Sequence, residues 1–225
     1  MRLPMCGRYT LSSPADEIAA EFGIDVPPEY TPHYNIAPQQ DVLIVGPDGA
    51  GEIKAAYVRW GLVPAFAESP RAMKHTINAR AETLLLRPVF REAFLHRRCL
   101  IVADGFYEWQ REDNRRKPFR YRLRSGRPFA FAGIWERWQE KQDGEPLYSC
   151  AIITTEASSL VRPVHDRMPA ILRPADHVAW LDPAADPVQL SALLHPTGAR
   201  ELEGYAVSTL VNSVAHDEPA CMAPV

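Results

Sequence analysis

The chain has 225 residues, 46% hydrophobic and 24% charged, which suits one globular domain over 1–225 with a sizeable core. No apolar run reaches the roughly 18 residues of a membrane helix, and residues 1–5 contain Arg2 and Pro4 but no apolar signal core, so a cytoplasmic protein with no membrane partner is expected. Four scattered cysteines without a C-x-x-C pair predict neither a metal site nor a disulfide framework, and a net charge of −3 argues against nucleic-acid binding until its distribution is examined.

In chain order, 14–22 reads as a helix behind a Ser12-Ser13 cap. Strand-type runs follow at 41–45 and 53–60, separated by the turn Pro47-Asp48-Gly49. Residues 79–86 read as a helix with Asn78 available as its N-cap, and 89–94 as another. Strands are expected at 99–103, 119–123 and 129–134, the last two joined through Ser125-Gly126, and Asp143-Gly144 precedes a strand over 147–155. Cys99 and Cys150 fall in these apolar runs and are expected to be buried. Helices at 174–180 and 187–194 and a strand at 205–210 complete the pattern, and residues 216–225 read as an irregular tail. The fold class is α+β, mainly an antiparallel sheet or distorted barrel with short flanking helices. Without regular strand–helix alternation, G-x-G-x-x-G or G-x-S-x-G, nucleotide-binding and hydrolase-elbow readings lose their support.

The charge is uneven. Between 59 and 127 there are sixteen Lys and Arg against seven Asp and Glu, and 21 of the 25 cationic residues in the chain are Arg, whose planar fork suits phosphate. Near the start, Met5-Cys6-Gly7-Arg8-Tyr9 raises a separate possibility. An N-terminal cysteine carries an amine and a thiol on adjacent carbons, so an aldehyde can condense with the amine and be closed by sulfur into a thiazolidine. Cys6 qualifies only if residues 1–5 are absent from the mature protein, through initiation at Met5 or self-cleavage of the leader.

The segments Cys6-Gly7-Arg8-Tyr9, Tyr34-Asn35-Ile36-Ala37-Pro38, Arg59-Trp60-Gly61-Leu62-Val63-Pro64, Asn78-Ala79-Arg80-Ala81-Glu82-Thr83, Asp104-Gly105-Phe106-Tyr107-Glu108-Trp109 and Val164-His165-Asp166-Arg167-Met168-Pro169 together resemble the SOS-response-associated peptidase family of abasic-site processing proteins. The likeness extends from Cys6 to Pro224-Val225. It implies single-stranded DNA carrying an abasic site as partner and a Cys6 thiazolidine with the ring-opened deoxyribose as product. It further implies that Asn78 holds the amine, Glu108 does acid/base work and His165 protonates the sugar oxygen or shuttles protons in reversal. Arg8, Arg80 and Arg167 would contact phosphate, Trp60, Phe66 and Trp109 would stack on or wedge between bases, and Asn35 and Pro38 would shape the pocket edge. No metal or organic cofactor is implied, and a monomer is expected.

Each residue also has a plainer role open to it: Asn78 as a helix cap, Glu108 as an edge-strand charge, Trp60 as core, and the arginines as partners of carboxylates such as Glu82 or Asp166. Two other functions compete. One is a thiol peptidase with Cys6 as nucleophile, His165 as base and Glu108 or Asn78 orienting it. The other is a non-covalent single-strand binding module built on the basic middle third.

Overall fold

A computed structural model describes residues 6–72, 76–112, 115–140, 144–198 and 200–225. The expected leader, 1–5, and Asp143 of one expected turn lie outside the described residues.

The centre is a closed barrel. Strands β3 (Asp41–Pro47) and β4 (Ile53–Trp60) form the expected hairpin, paired from Asp41↔Arg59 to Pro47↔Ile53. Strand β6 (Arg98–Ala103) joins β3 to β9 (Phe129–Trp138), and β9 pairs with β10 (Leu147–Glu156). The ring closes where β10 runs parallel to β4, Ser149↔Arg59 and Cys150↔Trp60. Apolar runs in β6, β9 and β10 are buried almost throughout because a small barrel is filled by its own side chains. Cys99 and Cys150 are among them.

A second, five-stranded antiparallel sheet leans on the barrel. Its order is β13 (Leu202–Ala206), β8 (Arg115–Leu123), β7 (Gly105–Glu112), β1 (Tyr9–Leu11) and β2 (His33–Ile36). Alternation along β7 turns Phe106 and Glu108 to one face and Tyr107 and Trp109 to the other. Phe106 belongs to the main core, while Tyr107 packs with Val207, Val211 and Cys221 of the C-terminal segment.

Three short strands finish the rim: β5 (Asn78–Arg80) parallel to β10, β11 (Arg167–Pro169) antiparallel to it, and β12 (Ile171–Leu172) on β9. Helices α1 (Ala15–Phe22), α2 (Pro88–His96), α3 (His177–Leu181) and α4 (Pro187–Ala192) lie near their expected positions. Arg98, beneath them, donates to the carbonyls of Phe94, Leu95, Trp180 and Asp182 and so satisfies the C-terminal ends of α2 and α3 together.

Five expectations are corrected. Residues 78–80 are a strand followed by a 3-10 turn at Ala81–Thr83, so Asn78 caps no helix; pairing with β10 overrides the helix-forming composition of 79–86. Ser12 and Ser13 do not cap α1, which starts behind Pro14 with no side-chain cap. Ser125-Gly126 links two different sheets instead of closing a hairpin, because β8 pairs with β7 and β13, and β9 with barrel strands. The strand placed at 205–210 runs from Leu202 to Ala206 and gives way to a 3-10 turn at Thr209–Asn212. The tail is ordered: Pro219–Met222 form a 3-10 turn, Pro224 bridges Val207, and Cys221 is fully buried.

Candidate active site

Cys6 lies three residues before β1, fully buried, with a left-handed backbone at φ 40° that a residue with a Cβ seldom adopts. Its backbone nitrogen donates to Glu108 Oε1 at 2.9 Å, across 102 positions of sequence. Tyr9↔Phe106 pairing brings the two residues together from neighbouring antiparallel strands.

Glu108 is 3% exposed, and burial raises its carboxyl to about 8; the Cys6 N–H pulls the other way, while the charge of Asp166 adds to the rise. At neutral pH this carboxyl therefore holds a proton. Burial, reinforced by Glu108, also pushes the Cys6 thiol well above its ordinary range, so it rests as S–H.

Around the end of β10 the rim strands gather the other candidates. Asn78 pairs with Ile152 and Arg80 with Thr154, while Arg167 pairs with Glu156 on the opposite side. The Asn78 side-chain oxygen is shut off from solvent, and Arg80 is exposed. Arg167 is buried and already engaged, donating from Nη2 to Glu82 Oε2 at 2.8 Å and to the Thr154 carbonyl at 2.7 Å. His165 Nδ1 accepts the Arg167 backbone N–H at 3.0 Å, which leaves the neutral ring's proton on Nε2. Asp166 Oδ1 lies 3.1 Å from the same Nδ1 and becomes its partner when that nitrogen carries a proton.

Other candidates sit elsewhere. Trp60 is fully buried, its indole N–H on the Ile77 carbonyl at 2.9 Å and its ring edge-on to Tyr9, so no face is open to a base: its place is the core. Phe66 is 66% exposed in the turn after Pro64. Trp109 lies on the opposite face of β7 from Glu108 and donates to Asn212 Oδ1 at 2.7 Å. Pro38 is half-buried just beyond β2. Arg8 donates to Asn35 Oδ1 and the Val211 carbonyl, both at 2.8 Å, and Asn35 Nδ2 reaches the carbonyls of Val211, Ser213 and His216. These two residues hold the C-terminal segment.

Asp217 completes that attachment and belongs to no motif in the sequence: it accepts from the backbone N–H groups of Tyr34 and Asn35 and lies 2.6 Å from His33 Nδ1. It lies in the segment 216–225 that reads as an irregular tail, with Pro219 and Pro224 after it. Among the described residues no cluster of three or more His, Cys, Asp or Glu could hold a metal.

The model of the SOS response associated peptidase (SRAP) family matches residues 5–214. The abasic site processing protein YoqW of Bacillus subtilis is 46% identical over 220 residues, 96% of this chain and 97% of the relative. The abasic site processing protein HMCES of Gallus gallus is 35% identical over 227 residues, 87% of this chain and 67% of the relative. In three dimensions the chain resembles a protein of Bacteroides thetaiotaomicron, with a TM-score of 0.89, 25% identity and coverage of 98% of this chain and 100% of the other.

Proposed function

This chain belongs to the SOS response associated peptidase family, and we propose that it processes abasic sites in single-stranded DNA by joining Cys6 covalently to the lesion. The observation that carries this reading is the 2.9 Å contact between the Cys6 nitrogen and a buried carboxyl that keeps its proton at neutral pH. Relatives named abasic site processing proteins supply the substrate class.

The steps follow from the groups in place. Once residues 1–5 are gone, by self-cleavage or initiation at Met5, the Cys6 amine adds to the aldehyde of the ring-opened deoxyribose. Glu108 gives its proton to the carbinolamine hydroxyl, water leaves, and an iminium forms. The Cys6 thiol then adds to the iminium carbon and returns its proton to the Glu108 carboxylate, closing the thiazolidine. His165 serves sugar-ring opening or reversal through Nε2, and Asn78 orients the amine. The exposed Arg80 and Phe66 suit phosphate contact and base stacking respectively.

A peptidase acting on other proteins is less well supported. Cysteine peptidases lower the thiol's pKa beside an imidazolium, whereas burial here raises it. Proteolysis is accordingly assigned to the chain's own leader alone.

The test is the intact mass of the purified protein, alone and after incubation with a single-stranded oligonucleotide containing one abasic site, under denaturing conditions. A chain beginning at Cys6 and a DNA adduct lost in Cys6→Ala are expected. A processed terminus with no adduct overturns the reading, and salt-sensitive binding indifferent to the lesion would favour a simple binding module.

A further inference from the structure

A second buried carboxylate stands four residues before Glu108. Asp104 is the single residue between β6 and β7, where the chain leaves the barrel for the five-stranded sheet. Its Oδ1 accepts from Thr10 Oγ1 at 2.5 Å and from Arg120 Nη2 at 3.2 Å. Its Oδ2 accepts the backbone N–H groups of Ser12 and Ser13, at 2.5 and 2.8 Å, and both their hydroxyls. The Asp104 N–H in turn donates to the Thr10 carbonyl at 2.8 Å, and Arg120 reaches Thr10 Oγ1 at 3.0 Å and the Tyr205 hydroxyl at 2.9 Å. A Cβ on Gly105 would lie 2.8 Å from both Thr10 Oγ1 and Arg120 Nε, so the contact tolerates no side chain there.

This cluster grips β1 and β7 where they are weakest. The two strands pair at Tyr9↔Phe106 and Thr10↔Gly105, extended by the Tyr107 N–H on the Arg8 carbonyl at 3.0 Å. So short a ladder does not fix its own register; β7 is held by its longer pairing with β8, from Phe106↔Tyr121 to Glu112↔Arg115, so a slip of one residue, ~3.3 Å, shifts β1 and carries Cys6 away from Glu108. Thr10 and Gly105 belong to the ladder and to the cluster at once. Cys6, just before β1, and Glu108, in β7, lie beyond the far end of it.

We propose that Asp104 and Arg120, acting through Thr10, are positioning residues that lock the β1–β7 register and thereby hold the Cys6 nitrogen against the Glu108 carboxyl. Neither touches the reacting atoms. The inference rests on the crosslinking reading for its rate measurement and on the geometry alone for its other readout.

That readout is the titration of Glu108. Its carboxyl faces Cys6 just before β1, Asp166 before β11 and Tyr121 on β8, all of which the test variants keep. If the register loosens, the carboxyl loses the Cys6 N–H that favours its charged form, and its midpoint rises above about 8.

The experiment compares Asp104→Asn and the milder Thr10→Val with the unaltered chain and with Leu190→Ala, a core variant in α4. Carbon NMR of labelled glutamate should show the Glu108 midpoint rising by about half a unit or more in both cluster variants. Adduct formation on an abasic oligonucleotide should slow ~10-fold or more with oligonucleotide affinity retained, as expected for misplacement of reacting groups. Leu190→Ala, with a comparable loss of Tm, should move neither. An unchanged Glu108 midpoint in folded Thr10→Val overturns the clamp, and Thr10→Val decides the matter alone if Asp104→Asn does not fold. Absence of any adduct with the unaltered chain would defeat the crosslinking reading while leaving the NMR comparison to judge the clamp.

Discussion

Asp104 and Glu108 are carboxylates four residues apart, both nearly excluded from water, and they differ in the company they keep. Asp104 receives backbone N–H groups, hydroxyls and the Arg120 guanidinium, so its charge is distributed over many donors. Glu108 has the Cys6 N–H on one oxygen and the negative Asp166 nearby, and it holds its proton up to about pH 8. Burial alone does not make a carboxyl reactive. The surroundings decide its part: several donors fix Asp104 in place, whereas Glu108, with one donor and a like charge nearby, is left able to carry a proton.

The contrast breaks most severely at the anion's end. Arg120→Ala leaves a buried charge without its ion partner and should cost ~3–5 kcal/mol in urea unfolding. Next, Glu108→Gln removes the proton carrier and should slow adduct formation ~100-fold in single-turnover gels. The same variant sharpens the comparison through stability. Folding raises the Glu108 midpoint from 4.5 to about 8, so its stabilising contribution is full below the lower value and is lost progressively as pH climbs to the upper one. Glu108→Gln lacks that slope and should be more stable than the unaltered chain at pH 9, by up to a few kcal/mol, and should lose this advantage toward pH 5 in parallel unfolding curves. Asn35→Ala, on the other side of the sheet, should cost ~1–3 kcal/mol and speed proteolysis within 207–225 while sparing the titration of Glu108. Trp109→Phe, which deletes one half-exposed indole bond, should cost ~1 kcal/mol or less in the same assay.

What was legible in the sequence was what local pattern encodes. Apolar runs and Pro47-Asp48-Gly49 marked the β3–β4 hairpin because turn and strands are neighbours in the chain. Residues 78–80 misled because their strand exists only by pairing with β10, more than seventy positions later. The C-terminal segment misled for a related reason: its order comes from Asn35, Asp217 and Tyr107 bonding to backbone groups, which leaves no periodic trace. Among the candidate residues, Cys6 and Glu108 proved to be in contact, whereas Trp60 turned inward and Arg8 and Asn35 faced the tail. Motif membership gave their positions, but the face on which each side chain emerges depends on strand register. Asp104 carried no chemical cue of its own within Asp104-Gly105-Phe106, since its meaning lies in Thr10, Ser12, Ser13 and Arg120.

The closure of the barrel by β10 has a consequence for timing. A growing polypeptide that ends before Leu147 lacks the strand that seals β4 to β9 and gives Asn78 its neighbour. Such non-local pairings form late, because the entropy of closing long loops must be met before contacts repay it. During synthesis Cys6 emerges early, whereas the strand beside Asn78 follows only after about two-thirds of the protein has been made, so the residues proposed to act together are brought together late, by closure of the barrel.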